Sequence, residues 1–140
     1  MRILVVEDDF ISRRLMLRYL EPYGDCQEAE NGHDAVDAVR RALANGQHFD
    51  LICLDIMMPG MDGQQALVHI RRMESENHLP LGKGAKVIMT SAMEDNQYIM
   101  QALNASADGY VVKPVERLSF IETLKETGLL MDPETPKVPA

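Results

Sequence analysis

Basic residues are scarce: 14 Lys and Arg stand against 22 Asp and Glu, a net charge of −8. A nucleic-acid surface needs clustered cations to displace counterions, and the densest clusters are the pairs Arg13-Arg14, Arg40-Arg41 and Arg71-Arg72. Each pair falls in a helix-like stretch and reads as a solvated face, so nucleic acid is not an expected partner of this domain. Cysteine is also rare. Cys26 and Cys53 lack metal-ligand spacing and read as reduced thiols of a cytoplasmic protein. No apolar run nears the ~18 residues of a membrane span, and "MRILVVEDD" turns acidic too early for a secretory signal. His33, His48, His69 and His78 are dispersed and read as surface residues rather than ligands. No internal repeat is present.

Four short apolar runs are present: "ILVV" (3–6), "LICL" (51–54), "KVIM" (86–89) and "YVVK" (110–113). Near-continuous runs of this length are what strands buried on both faces look like, and such strands belong to parallel sheets covered by helices. The more polar "CQEAE" (26–30) suits a sheet edge. Between the runs lie helical patterns. Residues 10–20 carry Leu15, Met16 and Leu20 as the inner stripe; 34–44 carry Val36, Val39 and Leu43; 64–75 carry Leu67, Ile70 and Met73. A stretch at 95–105 carries Ile99, Ala102 and Leu103. The last, 115–127, carries Leu118, Ile121 and Leu124, with Gly128 as its stop. Residues 1–128 therefore read as one domain, and 129–140, with three prolines, as a disordered tail or linker.

The order βαβαβαβαβα predicts an α/β fold: a doubly wound, five-stranded parallel sheet in a flavodoxin-like three-layer sandwich. Five strands favour the order 2-1-3-4-5, which puts the ligand crevice at the carboxyl ends of strands 1 and 3. Cys26 and Cys53 then flank strand 1 about 10 Å apart, too far for a disulfide with its limit of ~7 Å.

Acids gather at that crevice. Glu7, Asp8 and Asp9 follow strand 1, and Asp55 follows strand 3. Two carboxylates about 5 Å apart repel by roughly 3 kcal/mol at an effective dielectric of 20. A hard divalent cation relieves that repulsion, and Mg²⁺ takes a few carboxylates, a backbone carbonyl and waters. Helix capping alone explains one such acid, not four. Strand 4 brings hydroxyls in "TSA" (90–92), and strand 5 brings Lys113 just before Pro114. A carboxylate, a cation site, a lysine and a hydroxyl are the parts that phosphoryl transfer uses.

Together, "VVEDD", "LDIMMPGMDG", "TSA" and "GYVVKPV" resemble the receiver domain of response regulators in two-component signalling, over about residues 1–128. The resemblance implies that Asp55 is the phosphoacceptor. It implies a metal site of Glu7, Asp8, Asp55 and the backbone carbonyl of Met57, holding Mg²⁺ or alternatively Mn²⁺. Ser91 matches the switch hydroxyl, with Thr90 the competing candidate one place earlier. Lys113 matches the phosphate-contacting lysine and Tyr110 the aromatic switch. The implied donor is a sensor histidine kinase or a histidine phosphotransfer protein. The implied output is a downstream protein, or a phosphorylation-dependent dimer, engaged through the fourth helix, fifth strand and fifth helix. Met57 and Met93 would flank the attacking water and, being apolar, slow self-dephosphorylation.

The resemblance implies a switch that assists its own phosphorylation and slow dephosphorylation rather than a turnover enzyme. A haloacid-dehalogenase-type phosphatase wants an acid where Met57 stands, and flavin binding wants a Gly/Ser/Thr-rich loop after strand 1. A receiver-like module that never accepts phosphate would not need Asp8, Asp55, Ser91 and Lys113 together. The segments 40–50 and 77–86 are longer than the pattern requires. No output domain is legible, so the chain reads as a stand-alone receiver or part of a longer regulator.

Overall fold

The computed structural model describes residues 1–79, 83–91 and 107–129. Its elements are β1 (Arg2–Val6), α1 (Phe10–Leu20), a 3-10 turn (Glu21–Tyr23), β2 (Asp25–Ala29), α2 (Gly32–Ala44), β3 (Leu51–Asp55), α3 (Gly63–Glu76), β4 (Lys86–Ser91), β5 (Gly109–Val112) and the last described helix, α4 (Arg117–Glu126). All strand pairs are parallel, in the order β2-β1-β3-β4-β5. The expected order 2-1-3-4-5 is therefore present. The expected helix at 95–105, Met93, and tail residues 130–140 lie outside the described residues.

Side chains alternate across each strand, so the sheet sorts its apolar residues onto two faces. Leu4, Val6, Ile52, Leu54, Val87 and Met89 pack with Val36 and Val39 of α2 and Leu67 and Ile70 of α3. Ile3, Val5, Leu51, Cys53, Ile88 and Val111 pack with Met16 and Leu20 of α1 and Phe120, Ile121 and Leu124 of α4. All five residues of β3 are buried. That fits a central strand covered on both sides, where truncating Ile52 to Ala would cost about 2–5 kcal/mol.

Helix starts follow from capping chemistry. Asp9 accepts from the Ser12 N–H at 2.8 Å to begin α1, and Asn31 accepts from Asp34 N–H at 2.8 Å to begin α2. Asp62 and Gln65 form a reciprocal capping box on α3. At the end of α4, Gly128 has φ +88°, as its reading as a stop requires. Cys26 and Cys53 are free thiols on the two strands flanking β1, and burial pushes the Cys53 thiol far up.

Three expectations need correction. Leu15 and Leu118 were expected on buried stripes, but they are 45% and 80% exposed. The inner face of α1 is instead Arg13, Met16 and Leu20, and that of α4 is Phe120, Ile121 and Leu124. Arg13, expected on a solvated face, is buried. Finally, β4 runs on through Thr90 and Ser91, so both hydroxyls belong to the strand rather than to a loop after it.

Candidate functional site

Register brings the acids together. Val5 pairs with Cys53 and Val6 with Leu54, so the next step along both strands sets Glu7 beside Asp55. Asp55 pairs in turn with Thr90. Glu7 and Asp55 are almost fully buried, while Asp8 points outward and is exposed. One carboxylate oxygen from each of Glu7, Asp8 and Asp55 lies within 4.8 Å of the others.

The only cation this cluster meets, among the described residues, is Lys113 at the end of β5. Its Nζ lies 2.6 Å from Glu7 Oε1 and 3.1 Å from Asp55 Oδ2. The bond to Asp55 is a hydrogen bond; the approach to Glu7 is an ion pair without hydrogen-bond alignment, leaving Oε1 with no donor. The Lys113 backbone N–H donates to Ser91 O at 2.7 Å, which anchors the lysine to the end of β4. The peptide bond to Pro114 is cis.

The charge balance is poor for a resting protein. Burial, then the neighbouring Glu7 charge, push the Asp55 carboxyl up to about 7, although Lys113 pulls the other way. Burial alone would lower the Lys113 ammonium, but the carboxylates of Glu7 and Asp55 outweigh it and hold it above its ordinary value. Three carboxylates facing one ammonium suit a hard divalent cation, which takes carboxylate oxygens, keeps waters and cancels their repulsion. The donor set fits Mg²⁺ or Mn²⁺. Asp9 is not part of it: hydrogen bonds from Ser12 engage its side chain and lower its pKa.

The loop after β3 is folded back onto this corner. Gly63 N–H donates to Ile56 O at 2.9 Å, and a Cβ on Gly63 would lie 2.2 Å from Asp55 O. No larger residue fits there, which explains the glycine of "PGMDG". Met57 N–H reaches Asp55 Oδ1 at 3.3 Å, and its side chain is half-exposed at the rim.

Of the expected site residues, Glu7, Asp8, Asp55 and Lys113 converge directly. Ser91 and Tyr110 fall on the other face by strand alternation: Tyr110 packs with the α2/α3 core, and Ser91, wholly buried, lies two residues past Met89 of that core. Thr90 is the hydroxyl beside Asp55. Reading the sequence missed Arg13, whose Nη1 donates to Glu7 O at 2.8 Å while Nε donates to Glu28 Oε1 at 2.8 Å. It braces the end of β1 from behind. A signal was available, since Arg13, Met16 and Leu20 share one helical stripe, but the charge of Arg13 hid it.

The family model for the response regulator receiver domain matches residues 3–125. The chemotaxis protein CheY of Treponema pallidum is 34% identical over 125 residues, covering 88% of this chain and 79% of that protein. The osmosensing histidine protein kinase SLN1 of Saccharomyces cerevisiae is 29% identical over 127 residues, which is 89% of this chain and 10% of that kinase. Among solved structures, the receiver domain of the Arabidopsis thaliana histidine kinase CKI1, complexed with Mg²⁺ and BeF₃⁻, superposes with a TM-score of 0.77 at 26% identity. That alignment covers 91% of this chain and 89% of that one.

Proposed function

We propose that this chain, which belongs to the response-regulator receiver family of two-component signalling, is a phosphorylation-dependent switch with Asp55 as phosphoacceptor. The observation that carries this reading is a buried aspartate paired to Lys113 and flanked by two further carboxylates within 4.8 Å. Nothing in packing alone calls for that much unbalanced charge at a sheet rim.

In this reading an Asp55 side-chain oxygen attacks the phosphorus of a phosphohistidine on a sensor kinase or a histidine phosphotransfer protein. A P–O bond forms and the P–N bond breaks. The imidazole, already protonated on its other nitrogen, leaves neutral, and Asp55 becomes an acyl phosphate. Glu7, Asp8, Asp55 and the Met57 carbonyl would hold Mg²⁺, which when bound offsets charge on the phosphoryl oxygens. Lys113 supplies the fixed positive charge of the chain itself. Its short contacts to both Glu7 and Asp55 keep it poised at the point where phosphoryl oxygens arrive. Arg13 holds Glu7 still from the opposite side of β1.

Ser91 and Tyr110 would report the change. Both sit at the β4–β5 side of the sheet, and Ser91 is the last residue of its strand, where a rotation reaches the rim. The altered face would engage a downstream protein in the cytoplasm or a second copy of the chain, a two-state bias set by local charge. Among the described residues no helix is long and apolar enough to cross a membrane.

The test is phosphorylation by acetyl phosphate with Mg²⁺, followed by intact mass measurement. The expected result is one phosphoryl group per chain, absent with EDTA and absent in Asp55→Asn. Stoichiometric labelling of Asp55→Asn would overturn the assignment.

A further inference from the structure

We propose that Arg13 is a positioning residue of the divalent-cation site. Its guanidinium fixes the peptide unit that joins Glu7 to Asp8, and so sets the directions in which both carboxylates leave β1. This rests on the reading of Glu7, Asp8 and Asp55 as the cation site, and adds to it a residue that touches no ion.

The backbone shows why a donor is needed there. β1 and β2 pair as far as Val6 and Ala29, and the Glu7 N–H still donates to Ala29 O at 3.1 Å. In a parallel ladder the next bond would run from the Asn31 N–H to Glu7 O. By then β2 has ended, and Asn31 opens α2 as its cap. The ladder stops at a carbonyl, and a buried carbonyl without a donor is costly. Arg13 Nη1 supplies that donor at 2.8 Å.

A peptide unit is planar, so holding the Glu7 carbonyl also holds the N–H and Cα of Asp8. From that fixed plane Glu7 turns inward and is wholly buried, while Asp8 is exposed. One oxygen of each nonetheless lies within 4.8 Å of the other and of Asp55. The Asp9 N–H, one residue on, donates to Glu7 Oε2 at 3.1 Å. A turned plane would therefore redirect Asp8 and displace the donor that steadies the Glu7 side chain.

Arg13 is itself held. Nε donates to Glu28 Oε1 at 2.8 Å, the guanidinium carbon lies 5.5 Å from the Phe10 ring centroid, and the side chain is 7% exposed. Its charge has the wrong sign for a cation site, since a nearby guanidinium repels a divalent ion. Electrostatics and geometry thus predict opposite effects of removing it: tighter binding from the lost repulsion, weaker binding from the released peptide plane.

The experiment titrates Mg²⁺ calorimetrically into wild type, Arg13→Met, Arg13→Lys and Arg14→Met, and follows the Asp8 amide signal of the ¹⁵N-labelled proteins. Methionine keeps the apolar stem and removes the donor. Arg14→Met removes the same charge from the next position, where the ion pair is with Glu28 at 3.8 Å and not with Glu7. The expected result is Mg²⁺ binding about tenfold weaker in Arg13→Met, the scale for a group that orients a metal ligand. The Asp8 amide signal of that variant should be shifted before any ion is added. Arg14→Met should bind as tightly as wild type or more so. Arg13→Lys keeps the charge without the fork, so it should bind about threefold weaker or worse, and it carries the test if Arg13→Met does not fold. Binding as tight as wild type in Arg13→Met or Arg13→Lys overturns the proposal, as does an Arg14→Met loss equal to that of Arg13→Met. Wild type that binds no Mg²⁺ sinks the reading of the cation site and this proposal with it. Wild type that binds while the Arg13 variants are unaffected removes only the role of Arg13.

Discussion

Two carboxylate clusters, each built around buried acids (Glu74 in one, Glu7 and Asp55 in the other), sit at opposite ends of the same sheet, and only one of them is at peace. At the amino end of β4, Glu74 accepts from Arg71 at 2.9 Å and from the Ala85 N–H at 2.8 Å. Arg71 also donates to Ala85 O at 2.7 Å and to Asp108 at 3.2 Å, and Asp108 accepts from the Val87 N–H at 2.9 Å. Gly84 is shaped to this cluster, since a Cβ there would fall 2.2 Å from the Glu74 carboxylate. At the carboxyl end, Glu7 and Asp55 share one lysine, Glu7 Oε1 lacks a donor and Thr90 Oγ1 is idle. Satisfied polar groups fasten α3 to β4 and β5. Unsatisfied ones leave capacity for a cation and a phosphoryl group, and that contrast separates scaffold from site.

The comparison can be broken from either end. Glu74→Ala leaves the buried Ala85 N–H without its acceptor and takes one carboxylate partner from Arg71, so unfolding stability should fall by about 3 kcal/mol, measured by urea denaturation, while phosphorylation of Asp55 stays at wild-type extent. Lys113→Ala should behave in the opposite way. Asp55, whose carboxyl already sits near 7, can take a proton at little cost, so the metal-free loss should be only about 1–2 kcal/mol. Calorimetric titration should show Mg²⁺ binding tighter than wild type once the competing ammonium is gone, together with a loss of phosphoryl transfer.

Acidity sharpens the same contrast. Asp55 is raised in the folded chain above its ordinary value of 3.8, to about 7. The folded state therefore binds more protons than the unfolded chain between those values. Its contribution to stability is fully present below about pH 4 and is lost as pH rises through about 7. Mg²⁺ competes with that proton. At tenfold excess over its dissociation constant it should add about 1.4 kcal/mol, raising the thermal midpoint by a few degrees at pH 8 and by clearly less at pH 5. Asp55→Asn should show neither pH trend.

The sheet order, the central burial of β3 and the meeting of Glu7, Asp8, Asp55 and Lys113 were legible because short apolar runs end in charged residues at one rim. Less legible were the residues whose environment depends on long-range packing. Arg13 looks solvated until Glu28 and the Glu7 carbonyl close around it, and Leu118 looks buried until α4 turns Phe120 inward instead. The Arg71–Asp108 pair spans 37 positions, beyond any local pattern. Thr90 and Ser91 are adjacent hydroxyls in sequence, and only the register of β3 with β4 tells which one stands beside Asp55.

The central claim, that the carboxyl-end acids are built for a divalent ion and the amino-end acids are not, is tested most directly by titrating Mn²⁺ into ¹⁵N-labelled protein. The account predicts that amide signals of Glu7, Asp8, Asp9, Asp55, Ile56 and Met57 broaden first, while those of Arg71, Glu74, Ala85 and Asp108 persist. Broadening that begins at Glu74, or that spreads evenly over both clusters, would contradict it.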